Sequence, residues 1–135
     1  MRCAALALGL AVLAAGCGSS SLSQKSLQKS AEAVQSSAAE AALVADGVAD
    51  GRTTGPFVSV HAPELASAAS TEAKALRAAK GSGGLRAKAT ELAKVADRVS
   101  TLAGEIDGAS EDDARHLAEE LRNEAARAKQ IGGGG

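Results

Sequence analysis

Between residues 27 and 48, seven apolar side chains follow one another at spacings that alternate between four and three residues. They are Leu27, Ala31, Val34, Ala38, Ala41, Ala45 and Val48. In an α-helix this spacing places all seven on one stripe, which is buried only when the helix packs against other helices. Alanine, the strongest helix former, is abundant, and the single aromatic residue is a Phe. We therefore predict an all-α protein.

Turn-forming residues divide the rest of the chain into further helices. Gly51 ends the first helix, because glycine readily adopts the left-handed backbone that follows a helix. A connection over residues 52–61 leads to the second helix, with Pro63 in its first turn. The run GSGG over residues 81–84 separates the second helix from the third, and Gly108 separates the third from the fourth.

The third and fourth helices have clear patterns of their own. Four large apolar residues recur at seven-residue spacing in the third: Leu85, Leu92, Val99 and Ile106. Ser110 is placed to cap the fourth helix. The expected fold is a small, alanine-rich antiparallel bundle of four helices over residues 27–131, with a flexible glycine tail over residues 132–135. A buried alanine stabilises the folded state less than a buried leucine, because it removes less apolar surface from water. The alternative is therefore a pair of helical hairpins, or an open array of helices that a partner completes.

The first seventeen residues differ from the rest. A short basic start precedes an apolar run over residues 3–15, which is too short to cross a bilayer as a helix. Ala15 and Gly16 then precede Cys17, and a polar, Ser-rich segment follows. This order resembles the lipobox signal peptide of bacterial lipoproteins, although Ala14 stands where leucine is commonest in that family.

The resemblance implies that residues 1–16 are removed by cleavage between Gly16 and Cys17. Cys17 then carries a diacylglyceryl group, whose two acyl chains anchor a protein stably to a membrane. It implies an exported protein on the extracytoplasmic face of the cell membrane, with residues 17–26 as the lipidated cysteine and a Ser-rich flexible tether. The alanine-rich body is similar in composition to actinobacterial lipoproteins.

The charge pattern gives no reason to expect nucleic acid as a partner. The formal net charge is −1, and no basic segment is interleaved with aromatic residues. Lys25 and Lys29 precede Glu32, the first acid after the cysteine. Two lysines alone favour a solvated linker, and contact with anionic lipid headgroups is the alternative.

The connection over residues 52–61 collects residue types that are rare in this chain. It contains the only Phe, one of two Pro and one of two His. Arg52, Phe57 and His61 are therefore candidate residues of a binding loop. A structural role is favoured over binding: Phe57, Val58 and Val60 plug the open end of the bundle, and Arg52 caps helix carbonyls.

Two pairs of residues resemble part of a metal site in a helical bundle, where Glu-x-x-His motifs supply ligands. His61 and Glu64 have the reverse order, and the pair Asp113 and His116 has aspartate in place of glutamate. The apolar stripe of the fourth helix also places His116 on the solvent side. We therefore predict no metal site, no cofactor and no catalytic residue.

These features favour a non-enzymatic interaction or scaffold module of the cell envelope. Its expected partners are the membrane, through the lipid anchor, and either a second copy of the chain or another envelope protein. The alternative is a ligand- or metal-binding lipoprotein that uses the connection over residues 52–61.

Overall fold

A computed structural model describes residues 21–133 and confirms an all-α fold. The helices are α1 (Gln24–Ala49), α2 (Gly55–Ala78), α3 (Gly83–Glu105) and α4 (Glu111–Gly133). Short connections make successive helices antiparallel. Gly51 has a φ of 63° after α1, which is the left-handed conformation expected of it.

The bundle consists of two closely packed helix pairs. α1 packs mainly on α4, and α2 packs mainly on α3. α1 and α3 also contact each other across the centre, whereas α2 and α4 do not touch within residues 21–133. The molecule is therefore a four-helix bundle in which α1 and α3 are the central helices.

The predicted apolar stripes form the core. Every member of the α1 stripe is buried except Val48, and every member of the α3 stripe except Leu85; these two are partly buried. The largest fully buried side chains are Leu27, Val34, Leu92, Val95, Val99, Leu102, Ile106 and Leu121. Most other buried positions are alanine, so the helices approach closely rather than enclosing bulky side chains.

The second helix begins earlier than the sequence pattern predicts. α2 starts at Gly55, so most of the predicted connection forms its first two turns. Pro56 stands in the first turn, where a helix needs no backbone N–H, while Pro63 lies inside the helix at an exposed position. The prediction of a loop is therefore wrong for Phe57 and His61, which are helical.

The N-terminal segment is attached to the connection between α2 and α3. The amide of Leu22 donates a 2.7 Å hydrogen bond to the carbonyl of Lys80. Ser23 caps α1 by accepting a 3.1 Å hydrogen bond from the amide of Ser26. The Ser-rich segment, predicted to be a flexible tether up to residue 26, thus belongs to the fold from Ser21 onward.

The C-terminal glycines also differ from the prediction. α4 continues to Gly133, and Gly132 is buried against α1. A Cβ atom on Gly132 would lie 2.6 Å from the Cβ of Ala31, so only glycine permits this approach. The predicted flexible tail is therefore wrong for residues 132 and 133, and residues 134–135 lie outside the described part of the chain.

Arginine–carboxylate ion pairs join three of the four neighbouring helix pairs. They are Arg77–Asp97 between α2 and α3, Arg98–Glu120 between α3 and α4, and Arg122–Asp46 between α4 and α1. The hydrogen bond and charge of Asp97 raise the pKa of the Arg77 guanidinium. Within residues 21–133, no ion pair joins α1 to α2. In the described part of the chain, that side of the bundle therefore lacks the interhelical ion pair found on the other three.

Candidate functional site

A groove of about 460 Å³ runs between α1 and α2. Its lining residues are Glu40, Leu43 and Val44 from α1, and Phe57, His61, Glu64, Leu65 and Ala68 from α2. These residues belong to the second half of α1 and the first half of α2. The groove therefore lies towards the end of the bundle opposite to the one where the N-terminal segment enters.

Exposed apolar side chains are concentrated at this groove. Leu43 is 69% exposed, Val60 53% and Phe57 45%, and these are the large hydrophobic side chains exposed among the described residues. Leu43 and Phe57 line the groove, and Val60 lies one turn from Phe57 on α2. Leu43 was not among the residues predicted from the sequence, although a leucine outside the α1 stripe indicates an apolar side chain that faces away from the core.

Phe57 and His61 form one wall of the groove. They are one helical turn apart, and their ring centroids lie 4.1 Å apart with an interplanar angle of 42°. His61 Nδ1 lies 3.6 Å from Glu64 Oε2, which is too far for a hydrogen bond. His61 thus contacts Phe57 through a tilted ring pair, and its side chain remains 47% exposed.

Arg52 does not belong to the groove. Its guanidinium donates a 2.5 Å hydrogen bond to the Asp50 carboxylate. The prediction that Arg52 caps helix carbonyls is therefore wrong. That role belongs to Arg86, which donates to the carbonyl of Ala79 at 2.6 Å. Of the three candidate residues, the structure brings two together and leaves Arg52 apart.

The prediction that Phe57 and the neighbouring valines plug the open end of the bundle is correct for Val58 only. Val58 is buried against the core, whereas Phe57 and Val60 are exposed. The difference follows from the helix, because Val58 and Ala62 are one turn apart on the core-facing side of α2. The neighbouring side chains consequently face solvent and the groove.

The groove combines an apolar floor with an acidic rim. Leu43, Val44, Phe57 and Leu65 supply apolar surface, and two exposed carboxylates flank it, Glu40 and Glu64. None of the lining residues is a lysine or arginine. The surface is therefore complementary to apolar side chains accompanied by positive charge.

A second, polar cavity of about 360 Å³ lies between α3 and α4 and contains Asp113 and His116. Asp113 accepts a 2.6 Å hydrogen bond from the Ser110 hydroxyl and donates its amide to Ser110 Oγ at 3.2 Å, which caps α4 as predicted. His116 is exposed. Within residues 21–133, no three His, Cys, Asp or Glu side chains are grouped so that they would hold a metal ion.

The predicted lipidation and cleavage residues, Cys17 and Gly16, lie outside the described residues. The lipobox assignment therefore stays a prediction from the sequence. None of the helices within residues 21–133 combines the length and the apolar character needed to span a bilayer.

Comparison with known proteins returned no match: no family model, no curated protein and no solved structure is similar to this chain.

Proposed function

We propose that this protein is a lipid-anchored, non-enzymatic interaction module of the cell envelope that presents the α1–α2 groove to a protein partner. The observation that carries the proposal is the concentration of exposed apolar side chains at this groove. Leu43, Phe57 and Val60 leave apolar surface in water, while the smaller alanines fill the core. Clustered apolar surface of this kind is typical of a protein-binding site.

The position of the groove supports this role for an anchored protein. Cys17 precedes Ser21 by four residues, which span at most about 14 Å when extended. Leu43 lies about 28 Å further along α1, at 1.5 Å per residue from Gln24. An acyl group on Cys17 would therefore hold one end of the bundle near the bilayer and leave the groove away from it.

The chemistry of the groove favours a partner that is both apolar and basic. A segment with apolar side chains flanked by Lys or Arg would fill the floor and meet Glu40 and Glu64. A second copy docked symmetrically through the same groove would instead bring these carboxylates towards their own copies. Another envelope protein therefore fits this site better than self-association does.

Membrane anchoring is tested with the Cys17→Ser variant of the full chain. We expect the wild type to partition into the detergent phase after extraction and the variant to move to the aqueous phase, because serine has no thiol to form the thioether to the diacylglyceryl group. Metabolic labelling with a fatty acid should mark the wild type alone. Equal partitioning and labelling of both proteins would contradict the anchor.

Docking at the groove is tested with a photo-crosslinking residue in place of Leu43, and with the same residue in place of the exposed Thr101 on α3 as a control. We expect one crosslinked partner at position 43 only. Reversing the rim with Glu40→Lys and Glu64→Lys should abolish that product, because a basic partner would be repelled. Equal crosslinking at both positions, or a product that tolerates the charge reversal, would count against the groove.

A small apolar ligand is the second candidate for the groove. The groove volume falls within the range of about 300–1,000 Å³ typical of ligand sites, and Phe57 with His61 supplies a preformed aromatic wall. Native mass spectrometry of the chain beginning at Gly18 tests this function. A bound mass that is lost in His61→Ala would support it, and a wild type without any adduct would exclude it.

A further inference from the structure

The end of the bundle where Ser21 enters carries a surface rich in positive charge. Three segments meet there: residues 21–31, 73–90 and 125–133. Together they contain nine basic residues, and four acids stand directly beside their ends: Glu32, Glu72, Glu91 and Glu124. The nine are Lys25, Lys29, Lys74, Arg77, Lys80, Arg86, Lys88, Arg127 and Lys129. We refer to these three segments as the basic end.

The opposite end has the reverse composition. Residues 46–64 and 105–120, which surround the other two helix connections, contain ten acids and two arginines. The net charge of −1 therefore conceals a strong separation of charge along the bundle axis. Such a separation produces an oriented field, which acts on a charged surface even when the net charge is small.

Arginine and lysine have different roles at the basic end. Arg77 and Arg127 pair with carboxylates, and Arg86 donates to carbonyls at the end of α2. In contrast, Lys25, Lys29, Lys74, Lys80 and Lys129 are exposed and form no ion pair within residues 21–133. The arginines are engaged in the fold, and these lysines are available to a ligand.

One of these lysines stands where the helix itself does not favour it. Lys25 is the second residue of α1, and the first turn of α1 contains no acid. The N-terminus of a helix favours negative charge, as in α4, whose first turn contains three acids. The helix dipole therefore does not favour a lysine at the start of α1.

We infer that the basic end is a docking surface for an anionic lipid bilayer. Ammonium groups from α1, α2, the α2–α3 connection and α4 surround the point where the chain leaves towards Cys17, so one face of the bundle meets the bilayer over a broad area. The inference deepens the proposed function, because it gives the anchored bundle an orientation. Nucleic acid fits this surface less well, since the basic end has no aromatic side chain on which a base would stack.

The test uses the chain beginning at Gly18, which lacks both cysteines and cannot be lipidated. This chain keeps every described contact, because all of them lie within residues 21–133, and circular dichroism checks its helicity. Sedimentation with vesicles of phosphatidylcholine alone, or with about 30% phosphatidylglycerol, measures binding. We expect binding to the anionic vesicles only, weakened when salt is raised from about 0.1 to about 0.5 M.

Two double variants with the same net charge show which end of the bundle binds the vesicles. Lys80→Gln with Lys129→Gln removes two charges from the basic end, and Arg52→Gln with Arg115→Gln removes two from the acidic end. Each lysine near an anionic bilayer contributes about fivefold to binding, so we expect the first variant to lose about 25-fold and the second less than about twofold. Equal losses, or a wild type that ignores anionic vesicles, would overturn the inference.

A fluorophore at a single introduced cysteine reports the orientation. Ser82→Cys places it at the basic end, and Thr54→Cys, at an exposed position without a side-chain cap hydrogen bond, places it at the acidic end. We expect the bilayer to shield only the first from a water-soluble quencher. Shielding of the second, or tighter binding to duplex DNA than to the vesicles at equal salt, would overturn the inference. Because this chain lacks Cys17, its result is independent of the anchoring experiment on the full chain.

Discussion

Helix α1 is closed on one side and open on the other. Towards α4, Ala31 packs directly on Gly132, and Asp46 forms an ion pair with Arg122. Towards α2, Leu43 is 69% exposed beside a groove, and no ion pair joins the two helices within residues 21–133. The same helix therefore approaches α4 through a small residue at Ala31 and leaves a large apolar residue, Leu43, exposed towards α2.

The comparison shows how an alanine-rich bundle is stabilised and where it remains incomplete. Small side chains let two helices approach until their backbones nearly touch, and the many close contacts replace the burial of large side chains. A leucine contributes more than an alanine when buried, at about 25 cal/mol per Å² of apolar surface. On the α2 side, Leu43 stays exposed, so the free energy of burying its side chain does not stabilise the folded chain. A partner that covers Leu43 would gain this free energy on binding.

The largest expected effect comes from enlarging a residue on the closed side. Ala31→Leu places a leucine at a position that is 1% exposed and in contact with Gly132, so α1 and α4 must move apart. We expect a loss of about 3 kcal/mol in the free energy of unfolding. Urea denaturation followed by circular dichroism measures it, since the chain has neither Trp nor Tyr for fluorescence.

The matched change on the open side is Leu43→Ala, which removes the same side-chain volume that Ala31→Leu adds. We expect a change of less than about 0.5 kcal/mol, because an exposed leucine has little packing to lose and alanine is a better helix former. If the two substitutions cost the same, the two sides of α1 are equally packed and the comparison fails.

The closed side was largely predictable from sequence, because the spacing of Leu27 to Val48 identifies the buried stripe of α1 without knowledge of its neighbours. The contact at Gly132 was not. A glycine run at the end of a helix is ordinarily a break, and only the tertiary approach of Ala31 turns it into a packing position. Sequence periodicity reports which face is buried, and it does not report how closely the covering helix approaches.

The open side was predicted less well for a different reason. Thr54, Gly55 and Pro56 indicate a turn, and the valines that follow are weak helix formers, so the start of α2 looks like a connection. Burial of Val58 and Ala62 outweighs those preferences. Phe57 and His61 were nevertheless selected as candidates, because their rarity in this chain does not depend on the secondary structure.

A second prediction concerns α2, which forms the other wall of the groove. Pro63 lies inside this helix, where it has no N–H to donate and leaves the carbonyl of Ser59 without a helical partner. Pro63→Ala restores that hydrogen bond, and we expect a gain of about 2 kcal/mol in the free energy of unfolding after the greater freedom of the unfolded chain is subtracted. Thermal denaturation measures the gain.

This variant also tests why the groove on the α2 side of α1 is open. If the groove is open because Leu43 and Phe57 lack a partner, a more stable α2 should leave it open, and binding of an apolar dye should be unchanged. Loss of dye binding in Pro63→Ala would instead show that the groove depends on a weakened helix. Leu43→Ala serves as the control, since it removes part of the dye site without altering α2.

A smaller loss than that of Ala31→Leu is expected at two adjacent glycines at the end of α4. Gly132→Ala adds a Cβ atom 2.6 Å from the Cβ of Ala31, whereas Gly133→Ala meets nothing within 4 Å. We expect the first to lower the free energy of unfolding by about 1 kcal/mol, because helix propensity offsets part of the steric cost. The second should be neutral or slightly stabilising. Both substitutions add the same methyl group to the same helix end, so a difference between their urea midpoints measures the close approach of α1. Equal midpoints would mean that the last turn of α4 separates from α1 in solution.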